Sequence, residues 1–460
     1  MDSGLLAKII KRALSKGGDY ADVFVEQRTS ASIRVEDRKV EQVVSGAEQG
    51  AGIRLVSGGK TAYAFSNELD EKTLLEIAGM LPLAVKRAGG RVVELDLRPK
   101  APPVNFRISQ PPVCVPFERK VKMVKSAESE ARGLGRGIRQ VTVGYSDLIQ
   151  KVLIATSLGE LAEDERVYTT AIVNVVAEKD GLIQTGYESV GGLIGFELFE
   201  ETPLPEAAVK AGRRALMMLT AKKAPGGRMP VVISSEAGGT MIHEAIGHGL
   251  EADLARQGLS TFSGKLGKQV ASEAVTVIDD ATLPNKRGSF RFDDEGTASQ
   301  RTVLVKDGIL LSYLYDRLSA MESGASSTGN GRRQSYQHRP IPRMTNTFIA
   351  PGGASAAEVI RATHKGLLVK KMGGGQVNTV TGDFVFDVLE GYLIENGSVG
   401  EPVRGATLTG NGPAVLMSID MVSSDLGFAI GTCGKDGQGV PVSDAMPTLR
   451  VPEMVVGGEV

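Results

Sequence analysis

The 460-residue sequence predicts an α+β protein, with an N-terminal α/β domain of antiparallel sheets and covering helices followed by a mostly-β C-terminal domain. Three observations indicate this class. Apolar and polar residues alternate with a period of two in short runs between residues 22 and 65, as in half-buried strands. Apolar residues at helical spacing form separate segments, and after residues 224–227 short apolar runs alternate with many glycines.

The N-terminal segment predicts a helix, a strand meander and a second helix. Met1 to Gly18 carries Leu and Ile at helical spacing among Lys and Arg, which favours an amphipathic helix covering a sheet over a membrane-surface helix. Asn67 is placed to cap a helix over Leu69 to Arg87, which Gly89 and Gly90 would end. Alternation predicts antiparallel strands over residues 22–26, 32–36, 52–56 and 62–65.

A proline-rich passage from Arg98 to Phe117 follows, and it is predicted as a crossing segment because proline disrupts central strands and helix interiors. Ala224-Pro225-Gly226-Gly227 marks the predicted domain boundary. Further elements are predicted as helices over 118–132 and 205–222 and strands over 141–145, 152–155, 167–177 and 192–198. The predicted domains are 1–223, with 1–97 and 117–223 as candidate subdomains, and 224–460.

Composition argues against several classes of function. The chain has 53 Lys and Arg against 54 Asp and Glu, so it lacks the basic excess typical of nucleic-acid binding, and no direct nucleic-acid contact is expected. No run approaches the roughly 20 apolar residues of a membrane span, so no membrane association is expected. Two cysteines far apart in sequence are typical of a reducing compartment, and a cytoplasmic location is expected.

Two of the four histidines lie within six residues, in the run His243-Glu244-Ala245-Ile246-Gly247-His248. This arrangement is similar to a zinc-peptidase helix, in which two histidines bind the metal and the adjacent Glu is the general base. In a regular α-helix, however, residues i and i+5 face apart by roughly 140°. Metal binding by both imidazoles therefore predicts a π-type widening, or a helix end at His248, which Gly247 and Gly249 would allow. The alternative is a helix end with one core and one exposed histidine.

A zinc peptidase needs a third protein ligand, and the residues alone leave its identity open. The candidates are Glu251, Asp253, a distant histidine or a cysteine. Cys433 lies in a glycine-rich segment, Gly431 to Gly437, where the backbone could approach an ion closely, although a lone cysteine is more often a small buried apolar residue.

The motifs of the second half of the chain, taken in order, resemble those of the TldD/PmbA family, whose C-terminal domain carries an HExxxH metal-binding helix. The resemblance rests on the runs His243–Asp253, Asp279-Asp280, Asp293–Gly296, Thr328–Arg333, Tyr336–His338, Pro342–Thr347, Cys433–Gln438 and Val440–Val442. The first half matches only in general layout.

The resemblance implies a TldD-type chain, which keeps the metal motif, rather than a PmbA-type (TldE) partner, which lacks it. It implies Zn²⁺ held by His243, His248 and Cys433, with Glu244 as the general base. It also implies a homodimer, or a heterodimer with a PmbA-type subunit, enclosing a channel. An unfolded peptide would enter this channel as an added β-strand.

Further polar residues are candidates for supporting roles. Glu251 and Asp253 could orient the imidazoles, or form an exposed acidic helix end. Tyr336 or His338 could stabilise the oxyanion, although the basic run around them is more often a solvated or dimer-facing loop. Lys435 could help to ionise the thiol, or pair with Asp436.

Two features outside these motifs are predicted as structural. His364 is expected to be exposed on a helix over Ala354 to Leu368. Gly373-Gly374-Gly375 is not followed by the Lys-Ser/Thr of a phosphate-binding loop, so it is predicted as a sharp turn or hinge.

The leading functional hypothesis is a zinc-dependent metallopeptidase acting on unfolded polypeptides or small peptides. One alternative is a regulatory binding protein of the DNA gyrase modulator type with a secondary or vestigial metal site. Another is a zinc hydrolase acting on a different acyl or amide substrate. Cleavage of an unfolded protein without sequence preference separates the first hypothesis from the others.

Overall fold

The computed structural model describes residues 1–85 and 94–459, and it confirms the α+β class. The helices are Ser3–Ala13, Glu71–Ala84, Phe117–Arg132, Leu198–Glu201, Leu204–Thr220, Thr240–Ile242, Ala252–Arg256, Arg317–Ser323, Ala356–Arg361 and Gly412–Ser418. A π-helical turn covers His243–Gly247, and 3₁₀ turns cover Pro112–Cys114, Ser235–Ala237 and His248–Leu250. Asp70, not Asn67, caps the second helix, by accepting a hydrogen bond from the Thr73 N–H. The predicted end of that helix at Arg87, Gly89 and Gly90 lies outside the described residues.

The first sheet is built from unusually long strands. In spatial order it comprises Lys60–Ser66, Lys39–Ser57, Tyr20–Glu36, Ile138–Thr156 and Glu160–Lys179, with Arg98–Pro99 and Leu182–Leu193 both paired to the last of these. The predicted strands 22–26 and 32–36 both belong to the strand Tyr20–Glu36, and 141–145 and 152–155 both belong to Ile138–Thr156. These two long strands pair with each other without interruption over fifteen residues or so. The predicted strand 192–198 is wrong: Leu182–Leu193 is the strand, and a short helix follows it.

Two pairs of helices cover one face of this sheet, at opposite ends of the long strands. Helices Ser3–Ala13 and Glu71–Ala84 pack on Val23 and its neighbours. Helices Phe117–Arg132 and Leu204–Thr220 pack on Ile33 and its neighbours. Val23 and Ile33 lie an even number of positions apart on one strand, so they share a face. The buried side of the first helix therefore covers a sheet, as its sequence predicts.

The C-terminal half contains two larger sheets and a two-stranded one. The six-stranded sheet runs in the order Ile309–Leu310, Arg301–Lys306, Val277–Asp280, Asn346–Ile349, Gln438–Met446 and Gly427–Lys435. The eight-stranded sheet runs in the order Lys365–Val377, Gly227–Ile233, Leu449–Gly457, Thr407–Asn411, Asp383–Glu395, Ser398–Arg404 and Lys222–Lys223, with Met421–Val422 paired to Leu449–Gly457. Lys365–Val377 also pairs with Asp383–Glu395, which closes a five-stranded ring. Gly331–Arg332 pairs with Ile341–Pro342.

Two predictions in this half are wrong. The predicted helix 354–368 is a short helix, Ala356–Arg361, followed by the strand Lys365–Val377, and His364 lies between them. The Gly366 to Val369 run is buried on both faces of the sheet, and a short apolar run of this kind does not distinguish helix from strand. Gly373 to Gly375 lie within the same strand, at shifts in its pairing register, rather than at a sharp turn.

The second face of the N-terminal sheet packs against loops of the C-terminal half through buried ion pairs. Arg54 is 1% exposed; its Nε donates to Asp22 Oδ2 at 2.7 Å and its Nη2 to Glu295 Oε1 at 2.6 Å. Arg333 Nη1 donates to Tyr63 Oη of the N-terminal sheet at 3.2 Å, and Arg333 is also buried. The expectation of a solvated or dimer-facing basic loop is therefore wrong for Arg333, because that side chain is used to join the two halves.

Within the described residues, no helix is both long and apolar enough to cross a membrane.

We expect Arg54→Met to lower the free energy of unfolding by about 3–5 kcal/mol, because it leaves buried carboxylates without their cation. Arg228→Met is the matched control, since Arg228 pairs with Glu453 at the surface, and its expected cost is about 0–1 kcal/mol. Denaturant unfolding of both variants tests this. Equal costs for the two substitutions would contradict a structural role for the Arg54 pairs.

Candidate metal centre

The turn that carries both histidines has the predicted π-type widening. Helix Thr240–Ile242 runs into the π-helical turn His243–Gly247, and a 3₁₀ turn, His248–Leu250, follows. The imidazole rings of His243 and His248 lie with their centroids 5.0 Å apart and their planes at 90°. A Cβ at Gly247 would lie 2.0 Å from Met344 Sδ, so a larger residue here would have to displace the Met344 side chain. The widened turn thus brings two residues of i,i+5 spacing to one point.

Cys433 reaches the same point from the other end of the chain. It lies on Gly427–Lys435, the edge strand of the six-stranded sheet, and its side chain is buried. Cys433 Sγ is 3.5 Å from His248 Nε2, and one ligand atom each from His243, His248 and Cys433 lie within 4.8 Å of one another. Ligand atoms of a tetrahedral zinc site are spaced roughly 3.3–3.7 Å apart, so this buried trio fits a metal ion after a small contraction.

Carboxylates flank both imidazoles on the side away from the thiol. His248 Nδ1 lies 3.0 Å from Glu251 Oε2 in a hydrogen bond. His243 Nδ1 lies 3.1 Å from Asp444 Oδ1, although neither atom forms a well-aligned hydrogen bond. Asp444 was missed by the sequence reasoning, which had no signal linking a residue of strand Gln438–Met446 to His243. Carboxylates in these positions can hold each ring in one orientation.

Lys435 connects the histidine turn to the cysteine strand. Its Nζ lies 3.1 Å from Glu251 Oε2 and donates to Asp253 Oδ1 at 2.7 Å. Asp253 therefore holds Lys435 rather than an imidazole, and the predicted alternative pairing of Lys435 with Asp436 is wrong. Burial alone would raise the pKa of Glu251, but Lys435 and then His248 outweigh it and lower this pKa to about 2. Glu251 is thus a fixed anion beside the site.

The thiol and the imidazoles stabilise one another's charged forms. Burial alone would raise the pKa of Cys433, but hydrogen bonds and charge interactions with His243 and His248 lower it to about 5. Burial alone would lower the pKa of His248, but Glu251, and then Cys433, raise it to about 10. In the absence of a cation, these groups therefore form an imidazolium–thiolate pair at neutral pH.

Glu244 lies between the two histidines in sequence and is only partly buried. Burial raises the pKa of its carboxyl group, and the neighbouring imidazoles oppose that increase. Among the described residues its carboxylate forms no hydrogen bond, so it is available to a water molecule or a substrate beside the trio. A raised pKa suits a group that accepts and then releases a proton.

Tyr336 and His338 lie in a different environment. Tyr336 is buried against the N-terminal sheet: its N–H donates to Glu26 Oε2 at 2.9 Å and its ring makes an edge contact with Phe65 at 6.2 Å. His338 Nδ1 lies 3.0 Å from Ser335 Oγ. Among the described residues, neither side chain forms a hydrogen bond with His243, His248 or Cys433. Tyr336 thus serves the junction between the two halves of the chain.

Sequence comparisons cover most of the chain. Residues 21–88, 110–219 and 226–458 match the models of domain 1, the central domain and the C-terminal domain of the PmbA/TldA metallopeptidases. A metalloprotease TldD homolog from Haemophilus influenzae is 38% identical over 448 residues, covering 96% of this chain and 93% of that protein. A metalloprotease from Methanothermobacter thermautotrophicus is 37% identical, covering 96% of each chain.

Solved structures share the fold at low sequence identity. A Thermotoga maritima protein described as a candidate modulator of a DNA gyrase has a TM-score of 0.79 and 22% identity, covering 95% of this chain and 96% of that one. TldE from Thermococcus kodakarensis has a TM-score of 0.74 and 18% identity, covering 99% of each chain.

The relatives named as metalloproteases imply a metal ion, and the buried His-His-Cys trio is a group that could bind one. Together with the three matched domains, these similarities show that the chain belongs to the PmbA/TldD family.

Proposed function

We propose that this chain is a zinc-dependent peptidase of the HExxxH type that hydrolyses unfolded polypeptides or small peptides. The observation that carries the proposal is the buried trio of His243, His248 and Cys433 with the unpaired carboxylate of Glu244 beside it. One thiolate and two imidazoles favour zinc over magnesium, calcium or manganese. When bound, zinc supplies Lewis-acid polarisation and lowers the pKa of a coordinated water towards about 7.

Each protein group then has a defined task. His243, His248 and Cys433 would hold the ion. Glu244 accepts the proton of the attacking water and delivers it to the leaving amine. Glu251 orients His248 through Nδ1, and Asp444 does the same for His243.

The edge strand Gly427–Lys435 suits an extended peptide. Strand Gln438–Met446 pairs with one of its edges, and no strand of the described chain pairs with the other. Thr432 and Gly434 are exposed on either side of the buried Cys433. A peptide that adds to the free edge would be held through its backbone and would pass beside the candidate ligands, with little dependence on sequence. This arrangement favours unfolded substrates, because folded chains keep their backbone groups paired.

We further propose a cytoplasmic dimer, formed with an identical chain or with a PmbA-type (TldE) subunit; the similarity to TldE supports such a pair. The alternative, a regulatory protein of the DNA gyrase modulator type, is supported by the name of one structural relative. At 22% identity that likeness extends to the fold alone. A formal net charge of −1 does not favour direct DNA contact.

We expect Glu244→Gln to retain the metal and to lose about 10²–10⁴-fold in peptide cleavage, because the amide cannot accept the proton. Metal content and the rate of hydrolysis of an unfolded protein are measured on the same samples. Cleavage at the wild-type rate would contradict the general-base role.

In metal-free protein, we expect Cys433 to be ionised already at neutral pH, since its pKa is about 5. The difference in ultraviolet thiolate absorbance between wild type and Cys433→Ser should stay constant from about pH 6.5 to 9. A rise centred near about pH 8.5, the ordinary value for a thiol, would show that the two imidazoles do not stabilise the thiolate.

We expect Asp444→Ala to weaken metal affinity by about 10–100-fold, because His243 loses the carboxylate that orients it. Asp420→Ala is the matched control, since Asp420 pairs with Arg450 and contacts neither imidazole. Competition with a zinc chelator measures both affinities. If the control variant loses as much affinity as Asp444→Ala, the orienting role of Asp444 is wrong.

A further inference from the structure

Two consecutive cations, Lys286 and Arg287, lie against the edge strand that carries Cys433. Lys286 Nζ is 4.1 Å from the centre of the Phe428 ring. Arg287 Nη1 donates to the Gly431 carbonyl oxygen and lies 3.2 Å from Thr432 Oγ1. Both cations are partly buried, and burial lowers the pKa of each. The strand they touch is the one to which a peptide would add.

Neither cation has an anionic partner in the described part of the chain. Arg54, Arg166 and Arg214, in contrast, are each buried and paired with two carboxylates. Arg287 Nε is buried and has no hydrogen-bond acceptor. Partly buried cations are costly without a counter-charge, so a carboxylate from outside the chain would improve this site.

Arg332 shows why Arg287 is different. It also lacks a carboxylate within ion-pair distance among the described residues, but it donates to the carbonyl oxygens of Met344 and Pro441, both at 2.6 Å. Its side chain is almost fully buried, so no ligand reaches it. Arg287, in contrast, lies beside the exposed Thr432, where a ligand can approach from solvent.

The position of Arg287 relative to the metal centre follows from strand geometry. Successive side chains of a strand point to opposite faces, so Thr432 and Cys433 lie on different faces of Gly427–Lys435. Arg287 contacts Thr432 Oγ1 and therefore lies on the face away from the trio. A peptide added to the free edge would present alternate side chains to the two faces. One set faces the ligands, and the other faces Lys286 and Arg287.

We propose that Lys286 and Arg287 form a carboxylate-binding subsite for the peptide substrate. The subsite binds an acidic side chain, or the C-terminal carboxylate, of a peptide lying along Gly427–Lys435. The inference rests on the proposed function, because it assumes that a peptide occupies this edge. It adds a preference for acidic peptides to a site otherwise expected to read only the backbone.

Fluorescence anisotropy with labelled peptides in the Glu244→Gln background, which prevents cleavage, tests the subsite. In the first set, each peptide is polar, has an amidated C-terminus and carries a single Glu at a different position. Each of these peptides has a neutral match with Gln at the same position. A second pair differs only in a free or amidated C-terminus. We expect one acidic member to bind about tenfold more tightly than its neutral match, with a smaller difference at high salt. The set in which the preference occurs identifies the source of the carboxylate.

Arg287→Gln should abolish the preference, so that acidic and neutral peptides bind equally, and Arg287→Lys should keep part of it. Arg228→Gln replaces an exposed cation outside the proposed subsite and should keep the whole preference. An unchanged melting temperature and metal content exclude misfolding of the Arg287 variants.

Three results would overturn the subsite: equal binding of acidic and neutral peptides, an acidic preference that survives Arg287→Gln, or no binding of any peptide. Cleavage of the neutral peptide by the wild-type chain is measured in parallel. Cleavage without an acidic preference rejects the subsite alone, whereas an acidic preference without cleavage rejects the peptidase proposal alone.

Discussion

The i,i+5 spacing of His243 and His248 is the constraint on which the rest of the centre depends. A regular helix would turn the two imidazoles apart, so the chain must hold a widened turn that packing alone has to stabilise. Small residues make this packing feasible: a Cβ at Gly247 would collide with Met344, and a Cβ at Gly412 would lie 2.7 Å from the Ala245 carbonyl oxygen. The backbone of a second helix thus packs directly on the widened turn. This close packing stabilises the widened turn.

The charged groups around the centre also compensate one another. A buried thiolate and two imidazoles are stable together only if their charges are balanced, and Glu251 and Lys435 extend this balance to the cysteine strand. The Lys435 contacts tie segments about 180 residues apart in sequence, so the histidine turn and the thiol are held in register before any ion binds. Pre-organisation of this kind reduces the reorganisation that metal binding would otherwise require.

The sequence predicted the centre better than its surroundings, for physical reasons. Two histidines five positions apart, the second flanked by glycines, can face one another only across a widened turn, and the chain forms that turn. Asp444 could not be predicted, since its contact with His243 depends on sheet pairing and leaves no local pattern. The breaks predicted within the long N-terminal strands were wrong because the small polar residues near Thr29 interrupt the hydrophobic pattern but not the hydrogen-bond ladder. The buried strand after Ala356–Arg361 was wrongly predicted as a helix. An apolar run that is buried on both faces shows no alternation of apolar and polar residues, so its sequence does not distinguish a strand from a helix.

In the proposed peptidase site, His243, His248 and Cys433 hold one zinc ion. Elemental analysis of metal per chain, on wild type and Cys433→Ala side by side, tests it most directly. We expect one zinc per wild-type chain and a clear loss in the variant, which would join the two distant segments in a single site. Full zinc in both proteins would contradict the role of Cys433 as a ligand, and no zinc in either, even after reconstitution, would contradict the peptidase proposal itself.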